Sequence, residues 1–83
     1  MKHKVFTIYD SKAEHHFPPQ FLQAPGQAIR YFEDEANNPE SPIGKHPQDY
    51  SLFQIGEFDD DLGLLTPLVP IKSLGVAHEF IKE

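Results

Sequence analysis

The chain predicts an α+β fold: a small three-stranded, mainly antiparallel sheet with one principal helix, in the order strand, helix, strand, strand. Three observations predict it. Residues 4–9 alternate β-branched and aromatic side chains, residues 25–37 carry a helical apolar stripe opened by a proline, and two further extended runs flank the linker Asp59-Asp60-Asp61-Leu62-Gly63. Eighty-three residues make a single domain. A chain of this length buries about 60 to 65% of its unfolded surface, so its core sits near the margin of self-sufficiency.

In the first strand, Phe6 and Ile8 share one face while Val5, Thr7 and Tyr9 share the other, and both faces are largely apolar. Such a strand belongs in the middle of a sheet, or at an edge that a partner covers. Residues 11–24 read as a long loop containing His15-His16-Phe17-Pro18-Pro19-Gln20-Phe21. Its proline pair favours an extended path, and Phe17 and Phe21 either cap an open core or offer rings for stacking. The helix predicted over 25–37 has Pro25 in its first turn and Ala28, Ile29, Phe32 and Ala36 facing inward, with Asn38-Pro39 as a left-handed stop. A Pro-rich connection spans 38–49. Within it Pro47 fixes the approach to the sheet, Asp49 can accept backbone hydrogen bonds, and Tyr50 starts the next strand.

Two strands are predicted at 50–58 and 64–69. In the first, Tyr50, Leu52, Gln54, Gly56 and Phe58 share one face, and Ser51, Phe53, Ile55 and Glu57 the other. Gly56 suggests a bulge or the close approach of another backbone. The five-residue linker ends in Gly63, which suits a left-handed closing residue, and Pro67, which cannot donate to a ladder, means that the last strand is an edge or ends early. The tail, 70–83, can form a short C-terminal helix with Leu74, Ala77 and Ile81 inward, weakened by Gly75.

The net charge of -6 is segregated along the chain. Residues 1–30 hold Lys2, Lys4, Lys12 and Arg30 against Asp10 and Glu14, whereas residues 31–61 hold nine acids against Lys45 alone. Phosphate is attracted to the first third and repelled by the middle, which disfavours tight nonspecific duplex binding by a monomer. With no cysteine there is neither a disulfide framework nor a thiolate metal site. No apolar run is long enough for a signal peptide or a membrane span. Asp59, Asp61 and Gly63 echo the start of a calcium loop, but the glycine is misplaced and no bidentate acid follows at the required spacing. The five histidines are scattered apart from the adjacent His15 and His16, no Ser, His and acid fall into a catalytic pattern, and the glycines form no phosphate cradle. Neither enzymatic activity nor a metal or other cofactor is expected.

Four segments carry a family likeness: Phe6-Thr-Ile-Tyr-Asp-Ser-Lys12, Gly26-Gln-Ala-Ile-Arg30-Tyr-Phe32, Asn38-Pro-Glu-Ser41, and His46-Pro-Gln-Asp-Tyr-Ser-Leu-Phe-Gln-Ile-Gly-Glu-Phe-Asp59. In this order they span nearly the whole chain, and the chain resembles the small nonstructural protein of gokushovirus-type microviruses, phages with single-stranded DNA genomes. The resemblance implies a non-virion protein of the host cytoplasm, linked to viral DNA replication and to the shift toward single-stranded progeny genomes. On that reading Lys2, Lys4, Lys12 and Arg30 would contact phosphates, and Tyr9, Phe17 and Phe21 would stack on single-stranded DNA. The alternative is an acidic effector in which Glu33, Asp34, Glu35, Asp59, Asp60 and Asp61 dock a basic host or viral surface, such as a replication protein. The apolar surface of the strands exceeds what one helix can cover. A homodimer is therefore expected, through the open sheet face or by strand exchange.

Overall fold

The structure, a computed structural model, describes residues 1–82. Its sheet is larger than the three strands expected from the sequence: five strands form one antiparallel sheet with one main helix. At its centre lies β1 (Lys2–Asp10), in keeping with its two apolar faces. One edge of β1 is shared by β2 (His15–His16) and β3 (Gln20–Leu22), and the other pairs throughout with β4 (Tyr50–Asp59), which β5 (Leu64–Val76) extends.

Two features account for the undercount. The segment 15–22 reads as loop because Pro18 and Pro19 interrupt it, leaving pairings of two and three residues that are too short to show alternation. The tail reads as helix because Leu74 and Ala77 stand three apart. In fact residues 70–76 prolong β5, and only Ala77–Phe80 close into a single 3-10 turn. Ala77 still goes inward and is fully buried, whereas Ile81 remains exposed.

Strands β3 and β4 both run antiparallel to β1, so they are parallel to each other, and the chain must cross β1 to join them. The helix α1 (Pro25–Ala36) makes that crossing. Its stripe of Ala28, Phe32 and Ala36 packs on Phe6, Ile8, Tyr50 and Leu52, with Ile43 of the short α2 (Pro42–Lys45) and Ala77 closing the end. Phe32 has no exposed surface and meets the edge of Phe80 at 5.8 Å.

Side chains close both ends of α1. At the start, Gln27 Oε1 accepts from the backbone N–H groups of Gln23 and Ala24 at 3.0 and 3.1 Å. At the end no left-handed residue is used, contrary to the expected stop at Asn38-Pro39: Asn37 leaves the helix at φ -96° and ψ 3°. Its amide Nδ2 donates to the carbonyls of Glu33 and Phe80, and its Oδ1 accepts from the Lys82 N–H at 2.7 Å, so one side chain stops the helix and ties down the tail. Asn38-Pro-Glu-Ser41 then starts α2, with Ser41 Oγ accepting from the Ile43 N–H at 3.2 Å. Ahead of β4, the backbone carbonyl of Asp49 accepts from both the N–H and the hydroxyl of Ser11, which ties the Pro-rich connection to the end of β1.

Candidate functional site

The sheet face away from α1 is decided by one extra residue. Between Val5 and Phe6 the β1–β4 register slips, and Ile55 has no partner on β1. Directly paired residues project to the same side. Thr7 pairs with Phe53 before the slip and His3 with Phe58 after it, so the bulge brings Phe53 and Phe58, five apart, onto one face. The same slip turns Glu57 and Asp59 to the α1 side, opposite Lys4 and Lys2. Uninterrupted alternation had grouped Phe58 with Leu52, and the bulge corrects this. Gly56, next to it, is required by close approach, since a Cβ there would lie 2.6 Å from the Thr66 carbonyl oxygen.

Two ring clusters result on the open face. In the first, Tyr9 and His16 have centroids 4.7 Å apart, and His16 meets the edge of Phe53 at 6.0 Å. Tyr9 and Phe53 are half-buried and His16 is exposed, beside the turn that carries the exposed Lys12. In the second, Phe21 and Phe58 pack edge to face at 5.6 Å with His3 alongside at 6.3 Å. Together with Leu65 these rings line an open groove of about 350 Å³. The clusters lie about 17 Å apart along β4, five residues at the usual strand rise.

The residues expected to contact DNA are dispersed by this geometry. Tyr9 and Lys12 lie at the first cluster and Phe21 at the second. Phe17 instead turns inward against Tyr50, at 5.8 Å and edge on, while its carbonyl accepts from Thr7 Oγ at 2.9 Å. Arg30 is exposed on α1, in the other layer. Lys2 and Lys4 face Asp59 and Glu57 across the ladder. His16 and Phe53 escaped sequence reasoning. Phe53 showed as half of an alternation, but His16 joins the face only through the β2 pairing with Tyr9.

The acids are engaged to different degrees. Met1's amino group bridges Asp60 and Asp61 at 2.8 Å each, His3 Nε2 lies 2.7 Å from Asp60, and Asp59 Oδ1 accepts from the N–H groups of Asp61 and Leu62. At the end of α1, Glu33 meets Lys82 at 3.2 Å, Glu35 accepts from Ser41 Oγ at 3.4 Å, and Asp34 is exposed. The hydrogen bond from the Met1 ammonium, then that from His3, holds the Asp60 carboxyl below its ordinary 3.8. A depressed folded-state value stabilises the fold above the unfolded pKa and ceases to as pH falls through the folded one. The hairpin tip is therefore expected to loosen only below about pH 4, seen as loss of protection of the Asp60 amide, which donates to the Met1 carbonyl at 3.1 Å. Protection that fades between pH 7 and 5 would contradict this.

One helix layer on a five-stranded antiparallel sheet, with rings gathered on the face away from the helix, defines a small α+β protein. Among the described residues no helix is long and apolar enough to cross a membrane. Residues 3–80 match the family described as Phage ORF5 protein, and the chain belongs to that bacteriophage family. No curated protein and no solved structure matches it.

Proposed function

We propose that the protein is a non-catalytic accessory of phage DNA replication, of the gokushovirus type, which holds a short run of single-stranded DNA on its open sheet face in the host cytoplasm and stays out of the virion. The observation that carries this reading is the Tyr9–His16–Phe53 cluster. Rings borne on a sheet stack on unpaired bases for about 1–3 kcal/mol each, without regard to sequence. Duplex DNA hides its base faces, and a chain of net charge -6 repels the denser phosphates of a double helix. Retention of displaced strands would bias synthesis toward progeny genomes. Because Lys2 and Lys4 face acids, stacking rather than phosphate neutralisation dominates. Fluorescence anisotropy with oligothymidine tests this: saturable binding in low salt, absent with duplex of equal length, is expected. No binding to either would overturn it.

A second reading is favoured by the end of α1, where Glu33, Asp34, Glu35 and the nearby Glu40 outnumber Lys82 and Lys45. This surface would dock a basic viral replication protein. Reversing Glu33, Asp34 and Glu35 to lysine should then abolish its capture while circular dichroism stays unchanged. Undiminished capture would refute the docking.

A further inference from the structure

Among the described residues, five of the nine exposed large hydrophobic side chains, Leu62, Leu64, Leu65, Val69 and Ile71, fall within residues 62–71, a stretch that contains no charged residue. They lie on the β4–β5 linker and on β5, whose outer edge is unpaired. Between its pairings of Pro67 with Gly56 and Lys72 with Gln54, β5 carries four residues opposite Ile55 alone, so Leu68–Ile71 loop outward and Val69 is left 88% exposed. The groove of His3, Phe21, Phe58 and Leu65 adjoins this strip and shares Leu65 with it.

From these observations we infer that the strip and the groove together form a homodimer interface, with the Val69 bulge of each copy seated in the groove of the other. Three features select a second copy as the occupant. Charge comes first. Copies of a chain of net charge -6 repel wherever acids dominate, as at the end of α1, but beside the groove the Met1 ammonium is paired with Asp60 and Asp61, while Lys2, Lys4, Glu57 and Asp59 lie on the opposite side of the sheet, so little net charge opposes contact there. A strongly basic partner would be drawn to the α1 end, and an acidic one would gain nothing at the strip. Second, Pro67 and Pro70 donate no ladder hydrogen bonds, so a strand added along this edge is disfavoured and side-chain packing must carry the contact. Third, an exposed apolar protrusion and an apolar recess on the same surface are self-complementary, as a two-fold contact requires.

The inference does not rest on DNA binding, because the Tyr9–His16–Phe53 cluster lies at the other end of the face. Dimerisation would place two such clusters on one particle. Sedimentation velocity from about 1 to about 100 μM tests it. The wild type is expected to sediment at twice the 9.5 kDa chain mass at the upper end of the range. Val69→Asp, at a site too exposed to disturb folding, and Leu65→Asp are each expected to shift it to monomer with unchanged circular dichroism and unchanged oligothymidine affinity per chain. A wild type that remains monomeric throughout, or variants that dimerise as before, would overturn the inference. Capture of a viral replication protein by monomeric wild type through Leu65 and Val69 would also overturn it.

Discussion

Replacing Tyr9 and Phe53 together by leucine should weaken oligothymidine binding by at least about 30-fold, the loss of two stacked bases at about 1–3 kcal/mol each. Leucine removes the ring face but keeps an apolar side chain beside Thr7 and Ser51, the cross-strand partners of Phe53 and Tyr9. The thermal midpoint should therefore shift by only a few degrees, and affinity and stability should separate. Salt provides an independent check. With Lys12 the one lysine near the cluster, and Lys2 and Lys4 facing Asp59 and Glu57, the logarithm of affinity should fall with the logarithm of salt at a slope of about one or less. A steep salt dependence with an undiminished double variant would place binding on the cations instead.

Gly44→Ala should have the largest effect on stability. A Cβ at Gly44 would sit 1.8 Å from the carbonyl oxygen of Asn38, 2.6 Å from its carbon and 3.0 Å from the carbonyl oxygen of Glu35. All three are backbone atoms, so no rotamer change relieves the overlap, and α2 must lift from the end of α1, drawing Ile43 out of the core. The destabilisation expected is about 3 kcal/mol or more, which in a domain of this size lowers the thermal midpoint by roughly 10 °C or more. Gly26→Ala is the control. No atom lies within 4 Å of its Cβ position, and alanine in the first turn of α1 should leave stability unchanged or raise it by up to about 1 kcal/mol.

Both predictions rest on features that the sequence revealed unevenly. Local chemistry was legible. Pro25 opens α1, Gly63 closes the hairpin at φ 65°, Pro67 lies on the sheet edge, and Gly56 marks both a bulge and a tight backbone crossing. What stayed hidden depends on pairing between distant residues. His16 reaches the open face only because β2 pairs with β1, and Phe58 reaches it only because Ile55 is extra relative to β1. Parity along a strand can be read from sequence, but a one-residue slip in register reverses it, and although Gly56 pointed to a bulge, it did not show that Ile55 is the extra residue. Most of the family-like segments prove to do structural work. Asn38-Pro-Glu-Ser41 caps α2, and His46-Pro-Gln-Asp-Tyr joins it to β4. Phe53 and Phe58 are where the last segment reaches the open face.

The most direct test of the open face as the working surface is a backbone amide chemical-shift map of the protein titrated with oligothymidine. The account predicts shifts centred on Tyr9, His16 and Phe53, extending to Lys12 and leaving the exposed side of α1 around Arg30 and Asp34 unmoved. Shifts confined to α1, or none at saturating oligonucleotide, would contradict it.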